Sequence, residues 1–226
     1  MPFYLEINWI YFCIAFGAML VISFIMNQQS KNFYSMHMVI RKFSIIDLEF
    51  PPSAMELAIF IKGIFLLPDE LSKKSLHALK GQLYLDFIFI PAVYGSIFIL
   101  CMKVSMKMTS FGHVFFAILA WLQCIAWLCD IIENIYLLNK IKPQPVVSKP
   151  AVHIAYQINE IIKWGIALTA VVCSMAAIFY FWLVGLYSHN SINYLLIITG
   201  ELIIIFIAKK ITAKSEIEKL KKFQQT

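Results

Sequence analysis

Residues 111–138 read FGHVFFAILAWLQCIAWLCDIIENIYLL, an apolar run interrupted near its end by Asp130, Glu133 and Asn134. A helix of about 20 apolar residues crosses the hydrocarbon core of a bilayer, so this run is long enough to span one. Polar side chains at i, i+3 and i+4 fall on a single helix face. Two carboxylates at membrane depth are costly unless they pair, stay protonated, bind a cation or line a wet cavity. The stretch thus predicts a helical membrane bundle, and it places a candidate site on the DIIEN face.

Four more runs pass the same length test, at about residues 9–27, 83–102, 161–187 and 192–208. The composition agrees: 61% of residues are hydrophobic, 14% are charged and the mean hydropathy is +0.77. Together these predict an all-α, polytopic transmembrane bundle of about five spans, four being the lower count. The 226 residues leave no room for a separate soluble domain. The N-terminal MPFYLEIN lacks a basic region and a small-residue cleavage site, so the first run reads as a retained span.

Charge sets the expected orientation. Of the 19 basic residues, only Lys103 and Lys107 lie on one side of the predicted spans. The others fall between the first two spans, between the third and fourth, in the tail at 209–226 or, as Lys163, just inside the start of the fourth span. Basic residues collect on the cytoplasmic side, which predicts an N-out, C-in chain. The net charge of +6 does not suggest nucleic acid, because it is spread over loops and tail and Arg41 is the sole arginine.

The cytoplasmic segment, about residues 44–82, reads as amphipathic helices rather than a plain loop. Ser53 and Glu56 form an S-x-x-E capping box ahead of a short apolar helix over 55–67, too short to span. Pro68, Asp69 and Glu70 start another helix, which runs along the surface into the second span.

Orientation gathers scattered polar residues at one depth. Asp86 lies about 9 Å along a helix from Lys80, and Glu133 about 10 Å from Lys140. Tyr156, Asn159, Glu160 and Lys163 share one face of the fourth span. If these faces converge, Asp86, Asp130, Glu133 and Glu160 meet a single Lys163, with Asn134 and Asn159 beside them. Four acids and one lysine cannot all be ionised without a further cation or bound protons. Gln123 extends the Asp130 face inward, and Ala167, Ala170 and Ser174 above Lys163 would pack closely, giving a pocket open to the cytoplasm.

Three readings of this cluster stay open. It binds or moves a small ligand, cation or lipid headgroup; it is polar glue within a pore or accessory subunit; or it holds a metal for chemistry on lipid. Any metal there would be hard, Mg²⁺ or Ca²⁺, on Asp86, Asp130 and Glu133. The sequence has no HExxH, G-x-S-x-G or P-loop, which leans away from an enzyme. Expected partners are membrane lipids and a second copy or another membrane protein.

Lesser signals complete the reading. Pro91 frees the Phe87 carbonyl and predicts a kink. Glu201 stands alone inside the fifth span beside Gly200. Five cysteines in the spans, with no CxxC, read as buried small hydrophobes. The residues Asp47-Leu48-Glu49, LDFIFIP at 85–91 with Tyr94, and LAWL at 119–122 followed by Asp130-x-x-Glu133-Asn134 resemble a group of small bacterial multi-span membrane proteins. The resemblance covers about half the chain and carries no activity with it. It implies a bacterial inner membrane and adds Glu49 to the candidate set.

The orientation is checked with reporters fused at the C-terminus. A cytoplasm-active fluorescent protein there should glow, and a periplasm-dependent phosphatase there should stay inactive.

Overall fold

A computed structural model describes residues 8–187 and 191–223, with side chains described as far as residue 212. The link at Ser188, His189 and Asn190, between the fourth and fifth expected spans, lies outside the described residues, as do residues 1–7 and 224–226 and the Lys214, Lys219, Lys221 and Lys222 side chains.

Among the described residues five helices are long and apolar enough to cross a membrane: α1 (Trp9–Ser30), α4 (Asp69–Ser105), α5 (Ser110–Lys140), α6 (Pro150–Leu183) and α7 (Ser191–Phe223, apolar to Thr212). The protein is a multi-pass helical membrane bundle. Between α1 and α4 come a β-hairpin (β1, Tyr34–Met36; β2, Ile40–Lys42), the short α2 (Ile46–Glu49) and α3 (Ala54–Phe65).

Local chemistry explains the boundaries. The Asn8 side chain accepts from the Ile10 N–H at the start of α1. Ser53 caps α3 by accepting from the Glu56 N–H at 3.1 Å, one half of the expected capping box. The surface helix and second span are one rod, α4, roughly 55 Å long at 1.5 Å per residue. The fourth span begins earlier than its apolar run, because Pro150 suits a first helical turn. It ends at Leu183 rather than at 187: Gly185 turns left-handed (φ 72°), and Leu186 N–H closes on Phe181 O at 3.0 Å.

α4 is the spine, packing on α1, α5 and α6, while α7 rests on α1. Two apolar cores divide its length. One joins Phe33, Leu48, Leu57, Ile61, Leu79 and Leu137, and so clamps the hairpin, α2 and α3 onto the end of the bundle where α4 begins. That end also carries Lys80 and Lys140 and is called the basic end below. The other core joins Ile90, Ile97, Cys101, Ala120, Ala170 and Phe181 farther along.

The β-hairpin was not foreseen from sequence, since three-residue strands leave no periodic trace. Tertiary contacts hold it: Ser35 Oγ donates to Phe60 O at 2.9 Å, and Phe33 stacks on Phe43. The cysteine expectation needs correction. Cys13, Cys101 and Cys129 are buried, but Cys124 faces outward and Cys173 is only partly covered. Residue 124 points to the outside of α5, where an apolar environment suits a thiol as well as a core does.

Gly63 lets α3 touch the hairpin. A Cβ there would fall 2.6 Å from the Met36 carbonyl oxygen. Gly63→Ala should push the hairpin off α3 and lower thermal stability by about 1–3 kcal/mol, the usual cost of overpacking, read from thermal unfolding in detergent.

Candidate functional site

The DIIEN helix turn supplies the first wall. On α5, Asp130, Glu133 and Asn134 are buried on one face, and Lys163 of α6 reaches them. Lys163 Nζ lies 3.3 Å from Asp130 Oδ1 and 2.7 Å from Glu160 Oε2, and it donates to Glu133 Oε2. Around this centre stand neutral donors. Tyr94 of α4 donates its hydroxyl to Asp130 Oδ2 at 2.9 Å, and Asn134 Nδ2 donates to Asp86 Oδ2 at 2.6 Å. Trp164 Nε1 donates to Glu49 Oε2 at 3.1 Å, bringing the acid of α2 into the group.

Of the residues expected at the site, Glu49, Asp86, Asp130, Glu133, Asn134 and Lys163 line a common cavity. Glu160 stands behind it, wholly buried and paired to Lys163. Asn159 is not on the cavity wall; its Nδ2 ties α6 to the Cys129 carbonyl at 2.9 Å. Gln123 also stays out, donating to Leu119 O of its own helix. Glu201 lies apart, with its carboxyl packed against Gly17 of α1.

The cavity measures about 350 Å³ and is partly open. α2 folds across its basic end, where Tyr156 donates to Leu48 O at 3.0 Å and Gln157 to Pro51 O at 3.3 Å. The pocket expected to open straight toward the basic loops is therefore roofed by a short segment. Beyond the acids its wall turns apolar, with Phe89 and Val93 of α4 and Ala167 of α6.

Two partners were missed in the sequence reading. Tyr94 stands two turns from Asp86 on the same face of α4, a spacing that could have flagged it. Trp164 had no signal, because only the position of α2 makes it a partner of Glu49. The candidate metal ligands also regroup. The carboxylates whose oxygens come closest, within 4.8 Å of one another, are Glu49, Glu133 and Glu160 rather than Asp86, Asp130 and Glu133. Lys163 already occupies two of those three.

The electrostatics are one-sided. Glu49, Asp130, Glu133 and Glu160 surround one ammonium, and all four are at most 9% exposed. Negative charge in excess of the lysine is buried, so a second positive group or protons must balance it. Glu49, which lies outside the spanning helices, shows the strain: burial pushes its carboxyl above the usual range, against the pull of Lys163. The chain matches no known protein family, no curated protein and no solved structure.

Two outcomes follow. Lys163→Met strands buried carboxylates and should cost about 3–5 kcal/mol in unfolding experiments, with part recovered when Glu133→Gln is added. For Glu49, a raised pKa means its packed state is favoured at low pH and weakened as pH rises through that pKa. Trp164 fluorescence should therefore titrate with a midpoint above the ordinary 4.5 of a free glutamate, and Glu49→Gln should abolish the transition.

Proposed function

We propose that this membrane protein binds a small cationic group in the acidic cavity between α2, α4, α5 and α6. The observation that carries the reading is the charge count: four buried carboxylates gather round a single lysine beside about 350 Å³ of space. Asp130 and Glu133 supply the field, and Asp86 and Glu49 are the acids that Lys163 does not directly bridge. Asn134 orients Asp86, and Trp164 orients Glu49. Lys163 acts as the resident counter-ion that keeps the empty site folded. In this reading the basic end faces the cytoplasm of a bacterial inner membrane, and the ligand is bound near that face.

A second reading has its own support. Lys163 meets three carboxylates at once, which is also what a purely structural lock between α5 and α6 would need. The protein would then be a pore or accessory subunit whose polar cluster only holds helices together.

Equilibrium binding of radiolabelled methylammonium to the purified protein separates the two. Saturable uptake is expected, lost in an Asp86→Asn, Glu49→Gln variant that melts like the wild type. Competition by MgCl₂ would mark the site as one for hard cations in general. No uptake, with a variant that loses its fold or its oligomer, would leave only the structural lock.

A further inference from the structure

Gln82 is 5% exposed and lines the cavity, yet among the described residues no protein group donates to its Oε1. A buried amide oxygen without a partner costs about 1–3 kcal/mol, so such an acceptor on a cavity wall asks for a donor inside the cavity. Asp86 stands one turn further along α4, followed on the same face by Phe89 and Val93. This stripe runs from Gln82 and Asp86 to the apolar Phe89 and Val93 over roughly 16 Å, with Tyr94 beside Val93 engaged by Asp130. On the other side of the cavity α6 repeats the gradient, from Lys163 through Trp164 to Ala167.

The two flanks of the cavity belong to helices whose main packing partners differ. Met26 of α1 and Trp164 of α6 both reach the cavity, but α1 packs on α4 and α7, and α6 on α5 and α4. The face of α4 between them is the floor of the cavity, whose rim at Trp164, 40% exposed, reaches the outside of the bundle. In a membrane, what lies at that mouth is lipid.

Resting on the cation-binding reading above, we propose that the ligand is an amphiphile whose head is a protonated amine and whose tail is a hydrocarbon chain, entering from the lipid between α1 and α6. An ammonium has three donors and no acceptor. Gln82 Oε1, Asp86 and Glu49 together offer it acceptors at the polar end. Phe89, Val93 and Ala167 take the first part of the chain. An anionic head is repelled by the same acids, and a phosphate between amine and chain would fall beside Asp130. A bare metal ion would leave the apolar half of the cleft unused and would compete with Lys163 for Glu133 and Glu160.

The test uses the full chain with Trp164 as its only tryptophan (Trp9→Phe, Trp121→Phe, Trp127→Phe, Trp182→Phe). Long-chain alkylammonium and alkyl alcohol probes, each brominated on the chain, are compared as quenchers in the same detergent. The amine should quench Trp164 saturably and well beyond the alcohol, and excess methylammonium should reverse the difference. Gln82→Leu, close in volume, should weaken the amine about tenfold. Equal quenching by amine and alcohol, with methylammonium still bound by the wild type, would overturn the amphiphile and leave the cation site standing. Failure of both methylammonium and the amine to bind would overturn both readings.

Discussion

One ammonium organises the inside of this protein. Lys163 is buried at 4% exposure, and three carboxylates from two helices converge on its Nζ. Because Asp130 and Glu133 are one turn apart on α5, and Glu160 and Lys163 one turn apart on α6, the contact works in only one register of the two helices. Slide either by a turn and a charge is left unpaired in low dielectric, which costs more than any local packing gain. The pair α5 and α6 is thereby set, and α4 is set against them through Tyr94 on Asp130 and Asn134 on Asp86.

Apolar packing does the complementary work at the two ends of α4. One core fastens the hairpin, α2 and α3 to the basic end, and another closes the opposite half around Ile90, Ala120 and Ala170. The cavity lies at the junction, where acids and amides replace the hydrocarbon that would otherwise fill the space. Its position follows from that interruption: close packing cannot continue through groups that need partners. The short α2 then adds a fourth acid from outside the spans and roofs the basic end through backbone carbonyls of Leu48 and Pro51.

Much of this was legible in the chain. Length and apolarity forced long helices, because a backbone in lipid must satisfy its own hydrogen bonds. Helical spacing put Asp130, Glu133 and Asn134 on one face and Glu160 with Lys163 on another. Asn159 shows the limit of the method. It shares the spacing of its neighbours but sits just off the contact, bonded to the Cys129 carbonyl. Depth along a helix can be counted from sequence, whereas rotation about its axis is fixed by what it packs on.

Five apolar helices, the depth of their polar residues and the imbalance of acids over lysine there follow from the chain's residues alone. Those quantities depend only on rise per residue, side-chain periodicity and composition. The tertiary structure decided that Glu49 joins the cluster, that Trp164 and Tyr94 hold its acids, and that Gln82 faces a cavity without a donor. It also decided that Met26 of α1 and Trp164 of α6 meet the face of α4 around one cavity. Each of these is a meeting of segments far apart in the chain, and such meetings are settled by the packing of helix faces and the pairing of buried charges.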